Sequence, residues 1–276
     1  MLNKIFIDEH IKSALKEDIS FWDITTDYIT DKNDKMTVYL KTRQDGVLSG
    51  IEVFKRVFEI LDDDVCVELY FKDGVKIKKG DVLAKISGSA NAILKGERTA
   101  LNYLQRMSGI STETSKYKDA IGNNKAKIVD TRKTTPNFRL FEKYSVLMGG
   151  GSLHRFNLSD CVMLKDNHIA FAGSITKAVE KIRENLSHVH KIEVECDTLE
   201  QVKEALNCKV EIIMLDNMSL EEIKSACEFI SGRAIIEVSG NVTLDTISDI
   251  AICGVDIISS SAIVAKAYPL DLGLDK

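Results

Sequence analysis

The spacing of hydrophobic and polar residues changes about 125 residues into the chain, and this change predicts two regions of different architecture. In the first region, helical spacing over residues 8–19 is followed by strand-like stretches over 36–40 and 65–70. A long helix is predicted over residues 91–107, with Gly109 as its stop signal. This mixture indicates an α/β sandwich domain.

From about residue 125 onward, short apolar strands alternate with helical segments. Strands that are buried on both faces and separated by helices indicate parallel βα units. Because only six such strands can be counted, against eight in a full TIM barrel, we expect an incomplete six-stranded α/β barrel. An open doubly wound sheet is the alternative. The predicted strands begin near Ile128, Val162, Ile192, Ile212, Ile235 and Ile257.

The two patterns predict the domain boundaries. We expect an N-terminal α/β sandwich over residues 1–108 and a catalytic α/β barrel over residues 109–266. The tail over residues 267–276 is expected to pack back onto the first domain.

Composition restricts the class of protein. Lys+Arg 37 against Asp+Glu 42 gives a net charge of -5, which argues against a nucleic-acid binder. Apolar runs are too short to span a membrane, and the sequence after Met1 has no signal-peptide pattern. The 6 cysteines are widely spaced and form no CxxC pair. We therefore expect a cytoplasmic protein with reduced cysteines, bound to neither membrane nor nucleic acid.

Polar, charged or glycine residues follow every one of the six predicted strands. In barrels and open α/β sheets alike, binding sites form at the carboxyl ends of the strands. Six polar strand ends in succession therefore predict one shared site. The segments concerned are residues 130–135, 165–168, 195, 216–217, 239–241 and 259–261.

The side chains at these strand ends have complementary chemistry. Arginine and lysine suit carboxylates and phosphates, whereas Glu195 and Asp216 suit a divalent metal, sugar hydroxyls or a developing positive centre. The turns at 239–241 and 259–261 offer backbone N–H groups to a phosphate. We infer a small polyanionic substrate. The cationic residues are Arg132, Lys133, His154, Arg155 and Lys165.

Several nearby residues also have structural interpretations. The glycines at 149–151 indicate backbone pressed close to a ligand, a sharp turn, or a flexible loop. His168 fits a site residue and a structural histidine equally well. Asp130 is expected to orient its neighbours. Lys143 and Lys191 are interpreted as solvated charges without a role.

Several motifs resemble those of the quinolinate phosphoribosyltransferase family, also called nicotinate-nucleotide pyrophosphorylase (carboxylating). The most specific part is Asp-Thr-Arg-Lys-Thr at 130–134 together with Gly-Gly-Gly-x-x-His-Arg at 149–155. The resemblance covers nearly the whole chain in order. Further matching segments are residues 17–26, 97–102, 164–168 and 237–241.

The resemblance implies a fold and a reaction. The implied fold is an N-terminal α/β sandwich followed by a six-stranded α/β barrel. The implied reaction belongs to NAD biosynthesis: quinolinate and phosphoribosyl pyrophosphate give nicotinate mononucleotide, pyrophosphate and carbon dioxide, with Mg²⁺ as the cofactor.

The resemblance also implies roles for individual residues. Lys133 would contact the phosphoribosyl donor, and Lys165 would serve both ligands. Glu195 and Asp216 would contact the ribose and would bind the metal, either directly or through the pyrophosphate. Together with Lys165 they form the expected catalytic set. The diacid pocket would comprise Arg132, His154, Arg155 and Lys165. The 5′-phosphate cradle would comprise Ser239, Gly240, Asn241, Ser260 and Ser261.

On helical spacing alone Arg98 would be an exposed surface residue, but the resemblance implies that it is donated across a homodimer interface. At the last strand end the family pattern has Val-Gly-Ala followed by Thr-His, whereas this chain has Ser260-Ser261-Ala262 and Val264-Ala265. One phosphate contact of the family is therefore missing, and serine hydroxyls or backbone amides could replace it.

Other functions are compatible with parts of the pattern. A nicotinate-specific phosphoribosyltransferase would need a less cationic pocket, and a paralogue associated with molybdenum transport would share the fold. A Schiff-base lyase would use Lys165 as its nucleophile. The dense cationic set favours transfer to a diacid.

Overall fold

The structure is a computed structural model of the chain and describes residues 2–276. Up to residue 121 the helices are α1 (Lys4–Ile19), α2 (Ile24–Ile29), α3 (Ile51–Leu61) and α4 (Ala90–Ile121), and the strands are β1 (Lys35–Thr42), β2 (Gly46–Val47), β3 (Cys66–Leu69), β4 (Lys76–Ile77) and β5 (Val82–Ser89). Helices and strands are mixed in this part of the chain, as the sequence pattern predicted.

Beyond residue 121, strands and helices alternate. The strands are β6 (Lys127–Val129), β7 (Val162–Leu164), β8 (Ile192–Cys196), β9 (Ile212–Asp216), β10 (Ile235–Ser239), β11 (Ile257–Ser259) and β12 (Leu272–Asp275). The helices are α5 (Arg139–Met148), α6 (Asp166–Ala172), α7 (Ile175–Arg183), α8 (Leu199–Asn207), α9 (Leu220–Ile230), α10 (Ile247–Ile252) and α11 (Ala262–Ala265). The six predicted strand starts match β6 to β11 to within one residue.

The chain divides into two compact units. The first contains the residues up to Ser115, Thr135–Gly150 and Lys266–Lys276, and the second contains Lys116–Thr134 and Gly151–Ala265. Residues 109–115 and 135–150, which the sequence analysis assigned to the barrel domain, therefore cluster with the first unit.

The first unit is built on an antiparallel sheet with strand order β12-β1-β5-β3, beside a two-stranded sheet of β2 and β4. Helix α3 presents an apolar face to the core, where Phe54 and Phe58 are fully buried and their ring centroids lie 5.2 Å apart. Leu40 of β1 and Leu104 of α4 belong to the same buried cluster. Burial of such side chains stabilises the unit by roughly 1.5–3 kcal/mol for each residue.

The second unit is built on six parallel strands in the order β6-β11-β10-β9-β8-β7. The two edge strands, β6 and β7, are the first two strands of this sheet in chain order. An isolated parallel bridge joins Val129, at the end of β6, to Ser152. Six parallel strands and a separate antiparallel sheet confirm the predicted fold class.

Local sequence signals start the helices that follow the strands. Thr198 and Ser219 are the N-caps of α8 and α9, and each forms a capping box with the third helical residue, Gln201 and Glu222 respectively. Each box satisfies backbone N–H groups at the helix start, so the chain turns into a helix shortly after the strand ends.

The predicted end of the long helix is wrong. Helix α4 continues through Gly109 to Ile121. A Cβ atom at residue 109 would lie 2.1 Å from the backbone oxygen of Tyr268, so the glycine permits a close backbone approach. Gly109 thus records a packing requirement and does not stop the helix.

The glycines at 149–151 have a similar explanation. A Cβ atom on Gly149 would lie 2.4 Å from the backbone oxygen of Ser111, and Gly150 has a φ of 83°. The backbone is therefore pressed against the chain itself, and a left-handed turn follows.

Lys143, on α5, was interpreted as solvated, which is wrong because it is fully buried. No helix within residues 2–276 is long and apolar enough to cross a lipid bilayer.

Candidate active site

The carboxyl ends of the six parallel strands enclose a cavity of about 380 Å³. Every strand from β6 to β11 contributes a residue at its end or just beyond it, so the sheet curls around one site. The cavity is lined by Thr131, Arg132, Lys133, His154, Arg155, Met163, Lys165, Glu195, Met214, Asp216, Glu237, Ser239 and Ser259. The shared site predicted from the polar strand ends is therefore present.

The loop after β6 carries two of the cations. Within it, the backbone N–H of Lys133 donates to Oγ1 of Thr131 at 3.0 Å, and the N–H of Thr134 donates to the oxygen of Arg132 at 3.0 Å. These bonds close a tight turn, and the Arg132 and Lys133 side chains remain exposed. Both side chains are therefore available to bind a ligand in the cavity.

Lys165 and Glu195 form an ion pair across the ends of β7 and β8, between Nζ and Oε2. Lys165 is also the N-cap of α6, and its backbone N–H donates to Nδ1 of His168 at 3.0 Å. His168 itself is exposed and does not line the cavity. Its observed contact is therefore a structural one at the start of α6.

Asp216, at the end of β9, adds a second carboxylate. Burial raises the pKa of Asp216, and the negative charges of Glu195 and Asp197 raise it further. Negative charge is thus concentrated on one side of the cavity, opposite in sign to the arginine and lysine residues. Such a region stabilises positive charge brought by a metal ion or by a reacting carbon.

His154 lines the cavity and lies against two glutamates. Its Nε2 is 3.4 Å from Oε2 of Glu193 on β8 and 3.4 Å from Oε1 of Glu237 on β10. Burial by itself would lower the pKa of His154, but the two carboxylates outweigh burial and raise it to about 10. Neither glutamate was assigned a role from the sequence.

Hydrogen bonds from neighbouring loops fix the backbone around His154. Asp130, which is fully buried, accepts the backbone N–H of His154 at 2.9 Å. Arg155 donates from Nη1 to the backbone oxygen of Cys161 at 2.9 Å. The expectation that Asp130 orients its neighbours is confirmed, because its carboxylate holds the loop that carries the His-Arg pair.

The turn after β10 has strained backbone. Asn217, Gly240 and Asn241 all have positive φ, of 55°, 86° and 50°. The N–H of Asn217 donates to the oxygen of Ser239 at 3.1 Å, and Nδ2 of Asn241 donates to Oδ1 of Asn217 at 3.0 Å. The two loops after β9 and β10 are therefore held together, with Ser239 at the cavity wall.

Some predicted site residues lie away from the cavity wall. Ser260 is buried, and its hydroxyl donates to the oxygen of Val242 at 3.4 Å and accepts the N–H of Ala262 at 3.2 Å. Ser261 precedes the short helix α11, and Ser259 occupies the wall at this strand end. The predicted residues that do not line the cavity are Arg98, Gly240, Asn241, Ser260 and Ser261. Arg98 is exposed on α4.

Family models match nearly all of the chain. The model described as quinolinate phosphoribosyl transferase, N-terminal domain, matches residues 23–108, and the model of the C-terminal domain of the same enzyme matches residues 110–275. The chain belongs to the quinolinate phosphoribosyl transferase family. The resemblance inferred from the motifs is confirmed.

Similar proteins extend this family assignment over the full length. A probable nicotinate-nucleotide pyrophosphorylase [carboxylating] of Synechocystis sp. is 41% identical over 273 residues, which are 98% of this chain and 92% of the relative. A protein of the same description from Bacillus subtilis is 36% identical over 274 residues, 99% of this chain and 94% of the relative. The crystal structure of NadC from Streptococcus pyogenes has a TM-score of 0.97 and 45% identity, and covers 100% of this chain and 98% of that one.

Two glutamates of the site were not predicted although a signal was present: Glu237, which lines the cavity, and Glu193, which contacts the ring of His154. Glu193 and Glu237 each stand in the middle of an apolar strand, in Ile-Glu-Val segments at 192–194 and 236–238. A charged residue on a strand buried on both faces has to face a partner or a ligand. Applied to β8 and β10, that rule would have identified both glutamates as interior groups.

Proposed function

We propose that this chain catalyses the transfer of phosphoribose from phosphoribosyl pyrophosphate to quinolinate, with decarboxylation to nicotinate mononucleotide. The observation that carries the proposal is the cavity at the strand ends, where cationic and carboxylate side chains face one space of about 380 Å³. The proposal is supported by the similar proteins of Synechocystis sp. and Bacillus subtilis, which are named probable nicotinate-nucleotide pyrophosphorylases [carboxylating]. This chain matches both over nearly their whole length.

The cationic side of the cavity binds the diacid. Arg132, Arg155 and Lys165 supply fixed positive charge, and a planar guanidinium can grip a carboxylate through two parallel hydrogen bonds. Fixing both carboxylates orients the ring nitrogen toward the sugar. Positioning of this kind converts encounter of two reactants into a reaction within one complex.

The carboxylate side of the cavity faces the sugar. As pyrophosphate leaves the anomeric carbon, positive charge develops there, and Glu195 and Asp216 stabilise it. Lys165 connects the cationic side, which binds the diacid, with the carboxylate side, which faces the sugar. It does so because it is paired with Glu195 before the substrates bind. Lys133 is exposed at the cavity rim and neutralises the leaving pyrophosphate.

The turns after β10 and β11 bind the 5′-phosphate of the sugar. Gly240 and Asn241 hold left-handed backbone next to Ser239, an arrangement that can turn successive N–H groups toward one anion. Ser259 lines the cavity at the neighbouring strand end and offers a hydroxyl there, and Ser261 lies directly before helix α11. The hydroxyl of Ser260 is engaged internally, so we assign its contribution to backbone geometry.

The carboxylates fit a magnesium ion. The raised pKa of Asp216 reflects burial and the charges of Glu195 and Asp197, and a divalent cation would relieve that repulsion. Glu195 and Asp216 would hold the ion, directly or through the pyrophosphate. When bound, Mg²⁺ neutralises negative charge on the leaving pyrophosphate.

Decarboxylation completes the reaction. Once the ring nitrogen is bonded to the sugar it carries positive charge, so the electron pair left by the departing carbon dioxide is stabilised on the adjacent ring carbon. That carbon then takes up a proton from water to give nicotinate mononucleotide. The chain then has to keep the second carboxylate in place, which the cations of the diacid pocket do. No covalent nucleophile is needed.

We further propose that the enzyme is a homodimer in which Arg98 completes the partner's site. Arg98 is exposed on α4 and does not line the cavity described above. Large apolar side chains are also exposed in the first unit, and patches of this kind mark contact surfaces. They include Phe21 at 99%, Trp22 at 57%, Tyr28 at 70% and Ile29 at 69% exposed.

The reaction itself tests the proposal. Purified protein is incubated with quinolinate, phosphoribosyl pyrophosphate and Mg²⁺, and nicotinate mononucleotide, pyrophosphate and carbon dioxide are quantified. We expect the three products in equal amounts. Turnover of nicotinate in place of quinolinate would instead support the monoacid enzyme, and borohydride trapping of Lys165 with a carbonyl substrate would support a Schiff-base lyase.

A further inference from the structure

Two buried glutamates beside His154 have oxygens without hydrogen-bond partners. Neither carboxylate oxygen of Glu193 has one, nor does Oε1 of Glu237. Both residues are buried, at 0% and 3% exposed. An unpaired buried carboxylate is costly, so the nearest positive group determines what the pair can do. That group is the imidazole of His154, at 3.4 Å from each carboxylate.

The other ring nitrogen of His154 is also engaged. The backbone N–H of Arg155 donates to Nδ1 at 2.7 Å, an arrangement that belongs to the neutral ring, whose single proton then lies on Nε2 between the glutamates. A second proton on the ring would change this arrangement. Nδ1 would become a donor, and the N–H of Arg155 would lose its acceptor.

We propose that Glu193 and Glu237 are positioning residues of the diacid site, which act through His154 to make Nδ1 and the Arg155 N–H two donors for one substrate carboxylate. The proposal rests on the diacid function proposed above. It assigns His154 a substrate contact through Nδ1 only, because Nε2 faces the glutamates. It also explains why two acidic groups lie against a histidine that lines a pocket for a dianion.

The charges around the ring favour this protonated form. The two glutamates raise the pKa of His154 to about 10. The other groups near the ring are Arg155, beside it in sequence, and Asp130, which accepts the His154 backbone N–H.

Binding of quinolinate at different pH values tests the proposal. The dissociation constant is measured by calorimetry for the wild type and for Glu237→Gln, Glu193→Gln and the double variant, from about pH 6 to about pH 9. We expect a nearly constant value for the wild type over this range. In the double variant burial acts without the two carboxylates and holds the pKa of the His154 ring below its ordinary value, so binding should weaken by up to tenfold per pH unit across this range.

Glu237→Asp provides the matched control, because it restores a carboxylate of the same charge. We expect its pH profile to resemble the wild type more closely than that of Glu237→Gln. Kinetics should show the same separation, with the KM for quinolinate rising with pH in the glutamine variants and kcat changing less. A merely structural glutamate would lower stability at every pH and leave the pH profile unchanged.

A second measurement avoids dependence on folding of the variants. Nitrogen NMR of histidine-labelled wild-type protein reports directly whether the His154 ring carries one or two protons when quinolinate is bound at about pH 8. Two protons support the inference, whereas one proton, or variant profiles identical to the wild type, overturns it. If the wild type neither binds quinolinate nor turns it over, the proposed function itself fails.

Discussion

The carboxylate of Asp130 accepts the backbone N–H of His154 at 2.9 Å, and so ties the loop after β6 to the segment before β7. Strands β6 and β7 form the two edges of the six-stranded sheet. The Asp-Thr-Arg-Lys and His-Arg segments of the site are therefore held together by a side chain that itself faces no substrate in the proposed reaction.

Removal of this carboxylate should weaken the fold at the site. Asp130 is fully buried, and hydrogen bonds to charged groups contribute roughly 1.5–3 kcal/mol, so we expect Asp130→Ala to lower the free energy of unfolding by about 2 kcal/mol. Asp130→Asn retains an acceptor oxygen and should lose less than half of this. Urea unfolding of the three proteins measures the difference, and equal losses in both variants would argue against the role of the acceptor.

The cationic pocket makes a prediction about activity. Arg132→Ala and Lys165→Ala should each abolish formation of nicotinate mononucleotide, because each removes a charge from the proposed diacid pocket. Circular dichroism should show folded protein in both cases. Lys203→Ala, at an exposed position on α8, is the matched lysine control and should retain full activity. Wild-type turnover in either pocket variant would refute the site assignment.

The strained turn after β10 can be tested with a pair of glycines. Gly240 and Gly254 have nearly the same left-handed φ, 86° and 85°, but a Cβ on Gly240 would lie 2.2 Å from Oδ1 and 2.8 Å from the backbone nitrogen of Asn217. A Cβ on Gly254 would have no neighbour within 4 Å. Backbone strain alone should cost Gly254→Ala about 1 kcal/mol.

Gly240→Ala has to displace the Asn217 loop in addition. We expect a stability loss of about 3 kcal/mol and a several-fold rise in the KM for phosphoribosyl pyrophosphate, since this turn is proposed to bind the 5′-phosphate. Gly254→Ala should leave that KM unchanged. Steady-state kinetics measure the KM of both variants for phosphoribosyl pyrophosphate, and thermal unfolding measures their stability. Equal KM values in the two variants would show that this turn does not bind the 5′-phosphate.

Asp216 predicts a change of stability with pH. Its pKa is raised in the folded state by burial and by Glu195 and Asp197, so the folded protein binds this proton more tightly than the unfolded chain does. The group therefore favours folding at low pH, and this contribution is lost as pH rises from the ordinary value of 3.8 through the raised one.

Asp216→Asn should consequently melt at a higher temperature than the wild type at neutral pH, although its activity falls. The gain should shrink as the pH is lowered toward about 4, where the wild-type carboxyl becomes protonated. Thermal unfolding at several pH values, without Mg²⁺, checks the sign. An advantage of the variant that grows at acid pH would contradict the proposed repulsion.

The parallel strands could be predicted from sequence because each is a short, continuous apolar run that ends in polar residues. Because each strand was interpreted as one apolar run, the single glutamates within them, Glu193 and Glu237, were overlooked. Their role depends on His154, which comes from a different part of the chain. Gly109 was misinterpreted for a related reason: local pattern indicates a helix stop, whereas the glycine is required by Tyr268, 159 residues further along the chain. Long-range contacts therefore account for these errors.

The proposed donation of Arg98 between subunits can be tested with two inactive variants. Arg98→Ala retains every residue that lines the cavity, and Lys165→Ala retains Arg98. If Arg98 acts across the interface, a mixed dimer contains one complete site, formed by the barrel of the first variant and the arginine of the second. If Arg98 acts within its own chain, no mixed dimer contains a complete site.

Co-expression of the two variants in equal amounts should give mixed dimers as about half of the population, and therefore about one quarter of wild-type activity. Each variant expressed alone should remain inactive under the same conditions, which shows that recovery depends on mixing. Sedimentation of the co-expressed protein establishes that dimers are present. Dimers without recovered activity would place Arg98 outside the partner's site, because the only alternative arrangement leaves every site without one of its two cations.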